Sequence, residues 1–282
     1  MEPMIPATLA ELAEMIKTAE KFRLLAGGTD YMVAHGRTAP DRPVIDLSGI
    51  AELHGITFSE NEIVIGAMET MSALSAHAGL RPKAACLCEA ASRVGSWQIR
   101  NRATVGGNMA NASPAADTPA ALAALDAKAR LVSSRGARMA AAGDIPIGPN
   151  RAAIEPDEII VSFHLPIKPG RISAFGKIGS RTQVSIARLN LAVSAVLEGG
   201  RVIEARVFMG TLGAAALHCP EAEKVLVEKG LEAEEQFGGA LAHAAAEAIP
   251  GRSTLAYKQS GARALAEDVL TGLRAEAMKG RL

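Results

Sequence analysis

Apolar positions recur along this chain with two different periods, and the switches between them mark out its elements. Thr8 followed by Glu11 forms a capping box, after which Leu9, Leu12, Ala13, Ile16 and Ala19 fall on one helical face. Phe22–Ala26 is a short apolar run closed by a glycine turn, which predicts a buried strand. Thr29 or Asp30 caps a helical turn through Met32 and Val33, and Val44–Leu47 reads as the next strand. Strands alternating with helices predict a small parallel sheet up to about residue 53. Gly55–Phe58 and Ile63–Gly66 flank the polar Ser59–Glu62, the pattern of a hairpin. Helical stretches follow at Met71–His77 and Lys83–Val94, then a long loop, then a helix from Pro119. Ala129–Ser133 and Glu158–Leu165 return to strand character, joined by a surface connection over Gly143–Pro156.

Prolines and a glycine interrupt both periods at Pro166-Ile167-Lys168-Pro169-Gly170, which predicts a boundary. Beyond it Ser173–Gly179 and Arg188–Leu197 read as strands, and Glu198–Arg201 turns the chain into Val202–Met209. Helices fill the remainder, at Glu221–Glu228, Ala233–Ala248 and Gln259–Ala277. Strands followed by helices predict an α+β unit.

Candidate chemistry concentrates in Gly95–Leu125, GSWQIRNRATVGGNMANASPAADTPAALAAL. Large side chains are almost absent from Gly106 to Ala124, which suits a backbone lying close to something other than its own core. Paired glycines let peptide N–H groups face a phosphate, and Asn108, Asn111, Ser113 and Asp117 add hydrogen-bonding groups without bulk. An ordinary glycine-rich turn before a helix accounts for the stretch equally well when it is taken alone. A second glycine pair lies in Leu25-Ala26-Gly27-Gly28-Thr29-Asp30-Tyr31, between a strand and a helix N-terminus that favours an anion. Neither pair has the G-x-G-x-x-G spacing or a following Gly-Lys-Ser/Thr, so the Rossmann and Walker readings fail. Asp46, downstream of the first pair, reads as a strand-end acid fixing a turn in preference to a ribose ligand. Arg100 and Arg102 attract phosphates or a partner, or form an exposed structural pair. Trp97 packs in the core or beside a bound ring.

Composition narrows the classes. Over 282 residues, 30 basic side chains balance 30 acidic ones and only 3% of residues are aromatic, which argues against a nucleic-acid surface. No apolar run is long enough to span a bilayer, and Met1-Glu2-Pro3 opens no secretory signal, so a cytoplasmic protein is expected. Cys86, Cys88 and Cys219 lack the number and spacing of a metal or cluster site and read as buried apolar residues. None of the six histidines falls inside a glycine loop; each reads as a surface or satisfied core residue, and no triad assembles from spacing.

The two loops occur in order with Ile65-Gly66-Ala67, Gln98-Ile99-Arg100-Asn101-Arg102-Ala103-Thr104 and Ala112-Ser113-Pro114-Ala115-Ala116-Asp117. In this the chain resembles the medium, FAD-binding subunit of the molybdenum hydroxylases, the xanthine dehydrogenase, carbon monoxide dehydrogenase and aldehyde oxidoreductase type. The resemblance covers nearly the whole chain, including Phe175-Gly176-Lys177 and Ala187–Ala192. It implies an α+β fold: a two-part FAD-binding domain of the vanillyl-alcohol-oxidase (PCMH) type over 1–167, with subdomains of about 1–53 and 54–167. A smaller α+β domain of the CO dehydrogenase flavoprotein type, with antiparallel sheet and helices, would follow over 171–282.

By the same resemblance FAD would be bound by Leu25, Ala26, Gly27, Gly28, Thr29, Asp30 and Tyr31 of the first loop. Thr104, Val105, Gly106, Gly107 and Asn108 of the second would join them, with Ser113, Asp117, Ile160 and Lys177. Asp117 would accept from cofactor hydroxyls, Ile160 would lie beside adenine or flavin, and Lys177 would sit at the flavin edge; a solvated strand lysine is the other reading. The absence of a histidine in Ala26–Tyr31 points to noncovalent FAD. The implied partners are a molybdenum-cofactor large subunit and a small subunit with two 2Fe–2S clusters, as a dimer of heterotrimers, with NAD⁺ or another electron acceptor. A self-contained FAD-dependent reductase or oxidase, and a non-catalytic nucleotide-binding assembly module, are the alternative functions.

Overall fold

The computed structural model describes residues 3–18, 21–36, 41–181 and 184–279. Ala19 and Met1–Glu2 lie outside them. Helix α1 (Leu9–Thr18) starts at the predicted cap: Glu11 N–H donates to Thr8 Oγ1 at 3.1 Å, and the Glu11 carboxylate accepts from Ala7 N–H at 2.7 Å. Strands β1 (Arg23–Leu25) and β2 (Val44–Asp46) pair in parallel on either side of α2 (Thr29–His35). Asp46 ends its strand by accepting from Ser48 N–H at 2.9 Å, which is the turn-fixing role expected of it. Leu12, Ile45, Ile50 and Leu53 form the buried core of this unit.

The next unit is built on a five-stranded antiparallel sheet. Its strands are β3 (Ile56–Phe58), β4 (Glu62–Gly66), β5 (Lys128–Ser133), β6 (Gly136–Ala141) and β9 (Ile159–Pro166), in the order β3-β4-β9-β5-β6. Strand β9 is central and almost continuously buried, as its run of Ile, Val, Phe and Leu requires. Between β4 and β5 come α3 (Met71–Ala76), α4 (Ala85–Ser92), α5 (Trp97–Arg100), α6 (Val105–Asn111) and α7 (Thr118–Ala124). The supposed long loop therefore contains two short helices. The connection after β6 is also less superficial than expected: Ile145 is fully buried, and a small pair, β7 (Pro146–Gly148) and β8 (Arg151–Ala152), forms within it.

Beyond Pro166 the chain forms a four-stranded antiparallel sheet of β10 (Arg171–Gly179), β11 (Ala187–Glu198), β12 (Arg201–Gly210) and β13 (Leu217–His218). Helices α8 (Pro220–Lys229), α9 (Glu234–Ala248) and α10 (Leu255–Lys279) supply the apolar stripe, Leu226, Leu241, Leu265 and Val269, that covers one face. The opposite face presents Phe175, Ala192 and Phe208 to the preceding unit. Helix α7 lies in that junction with every residue buried. Its alanines are small because a helix flanked closely on two sides has no room for longer side chains. Asp126, with φ of 55°, adds an ionic tie there, meeting Lys168 at 3.0 Å, Arg206 at 3.0 Å and Arg171 at 3.4 Å.

Candidate functional site

A cavity of about 610 Å³ opens where β1, the turn into α2, helix α6 and the segment before β9 converge. That volume lies in the range of about 300–1,000 Å³ usual for small-molecule sites. The two loops that carry the glycine pairs, far apart in sequence, pack against each other beside it. A Cβ on Gly27 would stand 1.9 Å from the carbonyl oxygen of Arg102, and one on Gly107 would stand 3.5 Å from the Ala26 methyl. Gly28 takes φ of 76° as the N-cap of α2 and offers no capping side chain. Only a residue without Cβ meets both demands at this turn.

The glycines of the second pair have a different task from the one their composition suggests. Gly106 and Gly107 occupy the first turn of α6, with Thr104 as its cap: Thr104 Oγ1 accepts from Gly107 N–H at 3.1 Å. Val105 N–H donates to Glu69 O, Gly106 N–H to Ala67 O, and Asn108 N–H to Thr104 O. The donors of this turn are therefore spent within the protein. What Gly106 supplies is close approach, since its Cβ would lie 2.7 Å from that of Ala67. The first turn of α2 differs: Met32 N–H reaches Gly28 O, and no side chain caps the N–H groups before it. A phosphate entering the cavity would find its donors there. Asn108 adds one more, because its Oδ1 accepts from the Thr118 hydroxyl at 2.6 Å and its amide NH₂ is left for the cavity.

Among the described residues that line the cavity there is no lysine or arginine. Arg100 donates to Val94 O and Gly95 O and is off the cavity wall, and Arg102 contributes its carbonyl against Gly27. The groups that the described lining offers an anion are backbone dipoles.

The cavity gathers Leu25, Ala26, Gly27, Gly28, Thr29, Asp30, Tyr31, Thr104, Gly106, Gly107, Asn108 and Ile160 from the residues singled out in the sequence. Val105, Ser113, Asp117 and Lys177 are not on its wall. Val105 is a fully buried core residue. Asp117 and Lys177 form a buried ion pair at 2.5 Å, with side chains 4% and 6% exposed, so the solvated-lysine reading is wrong. Lys177 also donates to Arg93 O at 2.9 Å, and Asn190 Nδ2 donates to Asp117 at 3.0 Å. Burial drives the Asp117 carboxyl above its ordinary value, against the pull of Lys177 and Asn190.

Sequence reasoning missed the third wall, formed by Ala152, Ile154, Glu155, Pro156, Glu158 and Ile159, and also Met68. Of the histidines, His35 lines the cavity, its ring 5.1 Å from that of Tyr31. His77, His164 and His218 are satisfied by Leu80 N–H, Glu62 with Ser162, and Glu223 respectively. Trp97 is neither core nor cavity wall, being 67% exposed, with Arg100 over its ring. The cysteines are buried free thiols as expected; burial pushes Cys86 and Cys219 up to about 12 and Cys88 to about 11. No group of His, Cys, Asp and Glu among the described residues could hold a metal ion.

The glycines separate two effects that a single substitution would confound. Gly107→Val is expected to weaken ligand binding at least about tenfold with little change in melting temperature, because its Cβ meets chiefly Thr104 Oγ1 and the cavity. Gly106→Val is expected to destabilise the fold by about 1–3 kcal/mol through overpacking against Ala67. Thermal unfolding and ligand titration of the two variants side by side check this.

Comparison with known proteins places the chain closely. The family model for the FAD binding domain in molybdopterin dehydrogenase matches residues 1–168, and that for the CO dehydrogenase flavoprotein C-terminal domain matches residues 174–273. The xanthine dehydrogenase FAD-binding subunit of Escherichia coli O157:H7 is 33% identical over 77% of this chain and 76% of its own length. The carbon monoxide dehydrogenase medium chain of Afipia carboxidovorans is 34% identical over 80% of each. In the crystal structure of quinoline 2-oxidoreductase from Pseudomonas putida 86, a chain 27% identical superposes with a TM-score of 0.87, covering 99% of this chain and 98% of that one.

Proposed function

The chain belongs to the FAD-binding subunits of the molybdopterin dehydrogenases, and on that premise we propose that it is the electron-transferring flavoprotein of a three-part hydroxylase. It is an FAD-binding oxidoreductase component of α+β fold; molybdenum and iron–sulfur centres belong to other subunits. Electrons would arrive from 2Fe–2S clusters of a small partner and leave to NAD⁺ or another acceptor, with substrate oxidation on a molybdenum-bearing large partner. The assembly would be a dimer of heterotrimers in the cytoplasm, where free buried thiols are the norm. No helix among the described residues is long and apolar enough to cross a membrane. We assign residues 1–167 to the cofactor domain and 171–282 to the C-terminal domain.

The observation that carries this reading is the pairing of Gly27–Gly28 with Gly106–Gly107 around one cavity. The residues present fit a dinucleotide: a Cβ at Gly27 would force apart the two loops that form the cradle, and the donors of α2 are uncharged N–H groups. Gly27, Gly28, Thr29, Asp30 and Tyr31 would hold the pyrophosphate through backbone N–H, and Asn108 through its amide. Leu25, Ala26, Thr104, Gly106, Gly107 and Ile160 would shape the walls. Ser113, Asp117 and Lys177 would serve the flavin end from the adjoining buried pair, and Val105 would support from the core. FAD supplies the coupling of one-electron and two-electron partners. The protein binds it, orients it and screens it from water; no catalytic nucleophile or base is assigned.

Reconstitution tests this directly. The purified chain, mixed with FAD and freed of excess, is expected to retain about one flavin per chain with visible flavin absorbance. A folded chain with no affinity for FAD would sink the proposal. NADH turnover without partner subunits would instead favour a self-contained reductase.

A further inference from the structure

We infer that Glu155 is a binding residue for the dinucleotide, accepting a hydrogen bond from a hydroxyl of its ribose or ribityl chain, and that Arg138 positions it. The inference rests on the FAD reading above and adds residues to it. Glu155, Asp157 and Glu158 put three acids into one turn, of which Glu155 and Glu158 line the cavity. Two of them are held by arginines of β5–β6 and the connecting turn. Asp157 meets Arg135 at 2.7 Å, and Glu158 takes a two-pronged contact from Arg138, Nε to Oε1 and Nη2 to Oε2, each at 2.7 Å. Among the described residues no hydrogen bond or ion pair holds the Glu155 carboxylate; the residue is exposed, feels the charge of Arg138 at longer range, and lines the cavity.

The backbone of the turn is buckled, which fixes where Glu155 leaves the chain. Arg138 Nη2 also donates to Ala153 O at 2.9 Å, gripping both ends of the turn. Within it Glu155 N–H donates to Glu158 Oε2 and Glu158 N–H donates to Glu155 O, both at 3.0 Å. Arg138 holds the Glu158 carboxyl down at about 2, so the buckle stays charged through any physiological range. Bidentate arginine contacts of this kind fix geometry as well as adding energy.

Position and charge then select the group that Glu155 receives. Strand β8 packs against α6, and Asn150 N–H reaches Ala112 O, so this wall faces the far end of α6. Asn111, at that end of α6, lines the same cavity. A carboxylate accepts and cannot donate, and it is repelled by phosphate, so a sugar or polyol hydroxyl is the group that suits it.

The test measures affinities of the wild-type chain, Glu155→Ala and Glu155→Gln for FAD, ADP and FMN by calorimetry, with melting temperatures in parallel. Glu155→Ala is expected to weaken FAD about 10- to 100-fold at unchanged melting temperature, the span of one charge-assisted hydrogen bond. Glu155→Gln should fall between. A matching loss for ADP places the hydroxyl on the ribose; a matching loss for FMN places it on the ribityl chain. Unchanged FAD affinity in Glu155→Ala overturns the inference while wild-type binding leaves the FAD reading standing; failure of the wild type to bind FAD overturns that reading instead. Arg138→Met should weaken FAD as well, Arg138→Lys should restore part of the loss, and adding Glu155→Ala to Arg138→Met should cost little more. Full additivity of the two losses would overturn the positioning role.

Discussion

Gly27→Val is expected to leave a folded chain that retains almost no flavin. Its Cβ would fall 1.9 Å from the Arg102 carbonyl oxygen and 3.1 Å from Ala103 Cα, which are backbone atoms with no rotamer to yield. The turn must therefore move away from α6, taking with it the uncapped N–H groups of α2 that face the cavity. Those donors and the shape of the cradle are lost together, because Gly28 at φ of 76° cannot be displaced independently of its neighbour. We expect FAD affinity to fall at least about 100-fold, or ~2.7 kcal/mol. The β1–β2 pair and the core around Ile45 lie behind the turn and should keep the fold. Flavin retained per chain after gel filtration, with circular dichroism as the control for folding, measures both. Wild-type flavin content in a folded Gly27→Val protein would remove the first loop from the site.

Lys177→Met is expected to be the most damaging change to stability. Lys177 and Asp117 are both nearly inaccessible to water, and removing one partner leaves an uncompensated buried charge, a loss of about 3–5 kcal/mol. The pH dependence has a definite sign. Burial already raises the Asp117 carboxyl, and without Lys177 the largest opposing pull is gone, so its folded value rises further above its unfolded one. A group raised on folding stabilises the folded state while protonated, and that contribution is lost as pH rises through the folded value. The variant should thus be least impaired in mild acid and progressively worse toward neutral and alkaline pH. Replacing both partners, Asp117→Leu with Lys177→Met, should recover much of the loss. Chemical denaturation across pH reads the effect, and a pH-independent loss would contradict the buried-charge account.

Elements with local signals were legible in the sequence, and contacts between distant segments were not. The Thr8–Glu11 cap, the Ile56–Phe58 and Ile63–Gly66 hairpin and the long apolar run of β11 all announce themselves within a few residues. Strand β6 does not: it is an edge strand paired on one side, and Gly136–Ala141 carries almost no buried face to set a period. The long loop hid α6 because glycines argue against a helix in propensity, while Thr104 capping and contact with Ala67 override that cost. Part of the small-residue signal in Gly95–Leu125 came from α7, whose alanines fill a junction and not a ligand site. For the cavity, both glycine pairs were visible as residues, yet the packing of their two loops depends on tertiary closure. The Glu155–Ile159 wall left no local mark, since its role arises from β9 pairing with β4 and β5.

That pairing dictates an order of events during synthesis. The central strand of the five-stranded sheet is the last of its strands to leave the ribosome, and β4 and β5 have no other strand to join them. A nascent chain ended before Ile159 carries both glycine segments but only the makings of their enclosure. Its two hairpins wait as unjoined edges, a state in which non-local sheets are slow to close and prone to mispairing. Cofactor loading accordingly comes after the whole cofactor-binding half has been made, and the flavin itself, arriving then, rewards the correctly closed sheet over its misfolded rivals.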